Sequence, residues 1–194
     1  MYKTQTYNVD EHQSDNHYNC PLVAYYPEVI AANMDFDKTK IVYPFISFDD
    51  NATFAKAIRM HFEKVGIHFN EKDIIIAKNA AMNEYEAFHE QLVKEHRKAV
   101  EYARENNYPI IVLCGRPYHL DPLINHQMNQ LLTQLGFVVV SEESVPRQAK
   151  HKVNVLNQWT YHARLYQAAH YVIENKDMNL IQLVSFGCGI DAIT

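Results

Sequence analysis

The stretch Pro109-Ile-Ile-Val-Leu-Cys114-Gly-Arg-Pro-Tyr-His119-Leu-Asp121-Pro122 decides how this chain is read. Its first six residues are an apolar run, the pattern of a strand covered on both faces in a parallel sheet. Gly115 to Leu120 then reads as a loop, Asp121 as a helix cap and Pro122 as the first helical residue. Ile124, Met128, Leu131 and Leu135 recur at helical spacing, Gly136 ends that helix, and a strand from Phe137 to Val140 begins at once. Strand, helix and strand in this succession make a βαβ unit.

The same alternation extends outward. Lys40 to Phe48 predicts a first strand. Asp50 or Asn51 caps a helix carrying Phe54, Ile58, Phe62 and Val65, with Gly66 as its left-handed stop. A mostly helical region follows from Asn70 to Asn107, with an interruption near Asn79 to Asn83. Val155 to Glu174 predicts a helix with Trp159, Ala163, Tyr166, Ala169 and Ile173 on one face, where Trp159 and Tyr166 read as core residues. Leu180 to Phe186 predicts a last strand, running into Gly187-Cys188-Gly189. Together these give an α/β fold, a three-layer Rossmann- or flavodoxin-like domain with a mainly parallel sheet. A polar arm covers residues 1–19 and a single α/β domain residues 20–194. The short segment Leu22 to Ala32 is left unplaced.

Composition narrows the function classes. The chain has 194 residues, 47% hydrophobic and 21% charged, with a formal charge of −5. A mildly acidic balance offers no footprint for a phosphate backbone, so nucleic acid is not an expected partner. The longest apolar runs fall far short of the roughly 20 residues that cross a bilayer, so no membrane span is expected either. The N-terminus lacks a secretory h-region, which predicts a cytoplasmic, reducing setting. There the odd set Cys20, Cys114 and Cys188 reads as free thiols or metal ligands rather than disulfides. Walker, Gly-rich and nucleophile-elbow motifs are absent from the sequence.

Parallel α/β sheets bind ligands beyond the carboxyl ends of their strands, which makes strand ends candidate sites. Cys114 ends one strand and Cys188 follows another. For each thiol two readings stand, a small buried hydrophobe or a metal ligand, and the spacing of the three matches no local zinc motif. Arg116, Tyr118 and His119, in the strand-end loop, are candidates for binding an anion or substrate; the alternative is that Asp121 only caps and Arg116 pairs with a neighbouring acid. A third arrangement, a hydrolase metal site from His119, Asp121 and His126, is awkward in helical geometry. His61, His89, His96, His162 and His170 read as surface or satisfied core groups.

Several segments together resemble a known family: Tyr18-Asn-Cys-Pro-Leu-Val, Tyr26-Pro-Glu-Val-Ile30, Gly115-Arg-Pro-Tyr-His119 with Asp121-Pro122 and Ile124-Asn125, Asn157-Gln-Trp159, and Ser185-Phe-Gly-Cys-Gly189 with Asp191-Ala192. In this order they resemble the dehydratase-like region of the large activator-like proteins of the 2-hydroxyacyl-CoA (2-hydroxyglutaryl-CoA) dehydratase system, the CoA-substrate-specific enzyme activases. The resemblance implies a 4Fe-4S cluster and electron transfer supporting dehydration of a 2-hydroxyacyl-CoA. It also implies an ATP-hydrolysing activase domain as partner, on the same or a separate chain, and a CoA thioester as ligand. Carried over, Cys20 and Cys188 become cluster ligands, while Cys114 only abuts a matching motif. Three cysteines fall short of the four thiolates such a cluster usually takes. The competing expectation is a non-catalytic module that binds a CoA- or nucleotide-like ligand, or docks an activase, with structural thiols. The ending at Asp191 to Thr194, a cap with no helix after it, predicts a piece of a longer protein.

Overall fold

A computed structural model describes residues 3–4, 20–35, 41–48, 50–147, 153–155, 157, 159–185 and 187–193. Most of the expected N-terminal arm, and the ends of two expected strands at Lys40 and Phe186, lie outside the described residues. The contacts group into two compact units: residues 1–86 with 152–163, and residues 87–151 with 164–194.

In the first unit, β1 (Lys3–Thr4) pairs parallel with β2 (Phe45–Ile46), Lys3 opposite Phe45 and Thr4 opposite Ile46. Among the described residues, two of the predicted strand from Lys40 to Phe48 are paired, and their partners Lys3 and Thr4 lie in the expected arm. Cys20 opens α1 (Pro21–Asn33), a helix whose internal Pro27 hides it from pattern reading. The helix α2 (Asn51–Glu63) starts where the sequence predicts, with the Asp50 carboxylate accepting the Thr53 N–H at 2.7 Å. It stops at Gly66, whose φ of +78° no side chain takes easily. The Ile67 N–H reaches the Phe62 carbonyl there and the Gly66 N–H that of Glu63, a Schellman closure. Ile46, Phe54, Ala55 and Ile74 form the core of this unit.

The long helix α3 (Glu71–Glu105) runs unbroken through the expected interruption and contributes residues to both units. In the second unit β3 (Ile110–Cys114), β4 (Val138–Ser141) and β5 (Met178–Gln182) form a parallel sheet in the order β4-β3-β5. Val112 lies opposite Val140 on one side and Leu180 on the other. All five residues of β3 are buried, and alternation sorts them between two layers. Ile110, Val112 and Cys114 join Val100 and Ala103 of α3 and Leu165 and Ala168 of α5 (Thr160–Glu174). Ile111 and Leu113 pack instead on Leu132 of α4 (Met128–Gln134). Each fully covered aliphatic side chain contributes about 1.5–3 kcal/mol by leaving water. The result is the expected three-layer α/β arrangement.

The expected helix start at Pro122 is corrected. The Asp121 carboxylate accepts the Leu123 N–H at 2.8 Å, a local turn, and His126 and Gln127 then take φ values of +50° and +62°. Those left-handed residues delay α4 to Met128. Its end at Gly136 is as predicted, with the Phe137 N–H closing on the Leu132 carbonyl. The final strand is Met178–Gln182 rather than Leu180 to Phe186, and α5 begins at Thr160 rather than Val155. Among the described residues no helix is long and apolar enough to cross a membrane.

Candidate functional site

In the second unit the chain leaves β3 toward β4 on one side, then crosses to β5 on the other. The crevice at the carboxyl ends of β3 and β5 is therefore the topological switch point, where such sheets bind ligands. Two loops meet there: Gly115 to Leu120 after β3, and Leu183 to Ile193 after β5. The Leu183 N–H donates to the Cys114 carbonyl at 2.8 Å, extending the ladder up to the site.

Arg116 is buried, and its guanidinium reaches across to the second loop. Its Nη2 donates to Asp191 Oδ1 at 2.7 Å and to Cys188 Sγ at 3.4 Å, while Nε donates to Asp191 Oδ2 at 3.4 Å. Asp191 is 4% exposed, and its Oδ2 also accepts the Ser185 N–H at 3.0 Å. Burial opposes the Arg116 charge, but Asp191 and then Cys188 offset it, and the pKa is pushed above its ordinary value. The charge proposed for an anion is thus already matched by a buried carboxylate.

His119 Nδ1 accepts the Arg116 backbone N–H at 2.9 Å, so in this arrangement its proton sits on Nε2. Burial, aided by the neighbouring guanidinium and opposed by Asp191, lowers its pKa. The Tyr118 ring meets the His119 ring edge-on at 4.7 Å, and its hydroxyl bonds the Ser185 hydroxyl. Arg116, Tyr118 and His119 are thereby tied to one another and to the Cys188 loop. Gly115 permits this packing: a Cβ there would lie 2.6 Å from His119 Nδ1. A cleft of about 230 Å³ at the β3 and β4 ends, lined by Asn125, Asn129, Thr133 and Ser141 among others, is smaller than usual ligand pockets.

The three thiols have different surroundings. Cys188 is partly exposed beside Arg116. Cys114 is 1% exposed in the apolar core, where burial first, and the Glu142 charge second, push its thiol far up. That setting disfavours the thiolate a metal takes. Cys20 belongs to the first unit, partly exposed at the head of α1, with no side-chain capping bond. Among the described residues no group of three or more His, Cys, Asp or Glu is arranged to hold a metal ion, which removes the His119, Asp121 and His126 arrangement. As thiol donors, Cys188 and Cys20 are each accessible in their own unit, and Cys114 is not.

Sequence reading took Asp191 for a helix cap and missed it as the partner of Arg116, which lies 75 residues away. No local pattern announces such a pair. It also passed over a buried relay in the same unit. Ser144 Oγ donates to the Ser141 carbonyl at 2.7 Å and so accepts from His96 Nδ1 at 3.0 Å, which leaves His96 Nε2 to accept from the Tyr171 hydroxyl at 3.1 Å. Burial holds His96 near a pKa of about 4.

Residues 4–145 match the model of a family described as the CoA enzyme activase uncharacterised domain. The match includes β3 and the Arg116 loop; Cys188 and Asp191 lie beyond it. No curated protein and no solved structure matches the chain.

Proposed function

Because this chain belongs to the CoA enzyme activase uncharacterised domain family, which the match over well above half of its length establishes, we propose that it works as the thiol-bearing module of a 2-hydroxyacyl-CoA dehydratase system. In this reading the switch-point crevice of the second unit is the working site. The observation that carries it is the contact of Arg116 Nη2 with Cys188 Sγ, at 3.4 Å, on a guanidinium anchored by Asp191.

Cys188 would hold an iron–sulfur cluster at this crevice. When bound, the cluster supplies a one-electron, low-potential centre for an activase partner to charge. Arg116 then has two tasks. It fixes the Cys188 loop through Asp191, and its N–H on the sulfur raises the centre's potential, since hydrogen bonds to ligand sulfurs are one of the levers on that potential. His119 and Tyr118 hold the β3 loop in place and present the outer face of the crevice.

The burial of the Arg116–Asp191 pair favours a second reading, in which the crevice is a binding or docking surface and Cys188 a structural thiol. Anaerobic reconstitution of the chain with iron and sulfide, followed by reduction and low-temperature electron paramagnetic resonance, separates the two. The first reading expects bound iron and a reduced-cluster signal; a chain that takes up no iron sinks it.

A further inference from the structure

The cleft at the carboxyl ends of β3 and β4 takes no part in the reading above, and its two walls differ in chemistry. β3 and β4 run parallel, so α4, which joins them, runs back along the sheet. On the sheet side stand Leu113, Val139 and Ser141. Leu113 lies opposite Ser141 in the register and Val139 is two residues before it, so the three share the face turned to α4. On the other side stand Asn125, Asn129 and Thr133, spaced four residues apart, the last two on one face of α4. Among the described residues, none that lines the cleft carries a charge.

Asn125 is the informative group. It is 7% exposed, and its Oδ1 accepts the Gln127 N–H at 2.8 Å. An amide oxygen committed to an N–H fixes the orientation of the group, so Nδ2 is the end left over. That NH2 has no hydrogen-bond partner among the described residues, where a buried donor normally has one. Ser141, at the same end of the sheet, accepts the Ser144 hydroxyl on its carbonyl at 2.7 Å, and its own hydroxyl is unbonded among the described residues. Thr133, farther along α4, commits its proton to the Asn129 carbonyl at 2.8 Å. The carboxyl end of the cleft thus offers two donors, Asn125 Nδ2 and Ser141 Oγ, beside the aliphatic Leu113 and Val139.

We propose that this cleft binds a small uncharged molecule through a carbonyl oxygen, which accepts from Asn125 Nδ2 and Ser141 Oγ while a flat apolar body lies against Leu113 and Val139. An unpaired buried donor selects an acceptor. The uncharged lining selects a neutral acceptor over a carboxylate, which would leave water without a counter-charge. At about 230 Å³, below the roughly 300–1,000 Å³ of sites for drug-sized ligands, the cleft has room for one ring and its substituent. The inference is independent of the iron–sulfur reading, because it concerns the β3–β4 side of the sheet and no thiol.

Titration of the nitrogen-labelled full chain with benzamide, benzoate and benzylammonium, followed by amide magnetic resonance, tests it. The Asn125 NH2 signals are identified by their disappearance in Asn125→Asp, which keeps an Oδ for the Gln127 N–H and so keeps the turn. Benzamide should shift them saturably, with an affinity roughly fivefold or more above that of either charged probe, the scale of one neutral hydrogen bond. Followed on the backbone amides of the cleft, Asn125→Asp should weaken benzamide about tenfold and Ser141→Ala about threefold, with circular dichroism of both matching the parent. No saturable shift below about 20 mM, a charged probe binding as tightly as benzamide, or a benzamide affinity untouched by both substitutions would overturn the proposal.

Discussion

Arg116 and Asp191 form a buried ion pair at 2.7 Å, with side chains 7% and 1% exposed, and through it the loop after β3 is fastened to the loop after β5. A buried pair of this kind is weak evidence for net stability, because two charges have left water to make it. Breaking it is another matter: a lone buried charge costs about 3–5 kcal/mol. Asp191→Ala should therefore lower the unfolding free energy measured by urea titration by that order. Arg116→Met combined with Asp191→Leu should recover much of the loss. An Asp191→Ala variant as stable as the parent would show that the guanidinium reaches water without its partner.

His96 and Glu142 give opposite pH dependences. His96 has a folded pKa of about 4 against an ordinary 6.5, so the folded state prefers it neutral; its contribution is complete above 6.5 and is lost as pH falls toward 4. The difference amounts to roughly 3 kcal/mol. Glu142, 6% exposed at the end of β4, is pushed up to about 7 by burial, against the pull of Arg164. Its contribution is complete below 4.5 and is lost as pH rises through 7. The two effects oppose each other between pH 4.5 and 6.5. Glu142→Gln should leave a stability curve that climbs across this window, and His96→Gln one that descends. Parallel curves for the two variants would contradict the assignment.

Gly115→Ala should disturb the site without touching its charges. The added methyl meets His119 Nδ1 at 2.6 Å and Cβ at 3.0 Å, so the imidazole must move and release the Arg116 N–H. Overpacking of this kind costs about 1–3 kcal/mol. The His119 pKa should also rise toward its ordinary value, which proton resonance of the ring would follow. An unchanged titration would mean that the loop accommodates the methyl.

Thiol reactivity should divide the cysteines. Cys20 and Cys188 are partly exposed, and Cys114 is sealed. A disulfide reagent such as Ellman's should titrate two thiols in the native chain and the third only after denaturation. Rapid labelling of all three would place Cys114 outside the core.

What the sequence announces is what short-range physics controls. Ile110 to Leu113 is a short run of β-branched and aliphatic side chains of the kind a doubly covered strand buries, and Gly66 and Gly136 mark left-handed helix stops. Pro27 disguises α1, because an internal proline reads as a break. The start of α4 is hidden for a different reason: the Asp121 turn competes with the helix, and the left-handed His126 and Gln127 carry no glycine to signal them. Of the strand expected from Lys40, Phe45 and Ile46 are paired among the described residues, because strand pairing depends on a partner distant in sequence, here Lys3 and Thr4. At the candidate site, strand ends direct attention to Arg116 and Cys188. Asp191 enters only through a fold that joins residues 75 apart, and no spacing rule reaches that far.

Iron content of two serine variants tests the central claim most directly. After identical anaerobic reconstitution, Cys114→Ser should retain the parent's iron and acid-labile sulfide, whereas Cys188→Ser should lose most of both. Equal iron in the two variants, or its loss from Cys114→Ser alone, would contradict the assignment of Cys188 as the ligand at the β3–β5 crevice.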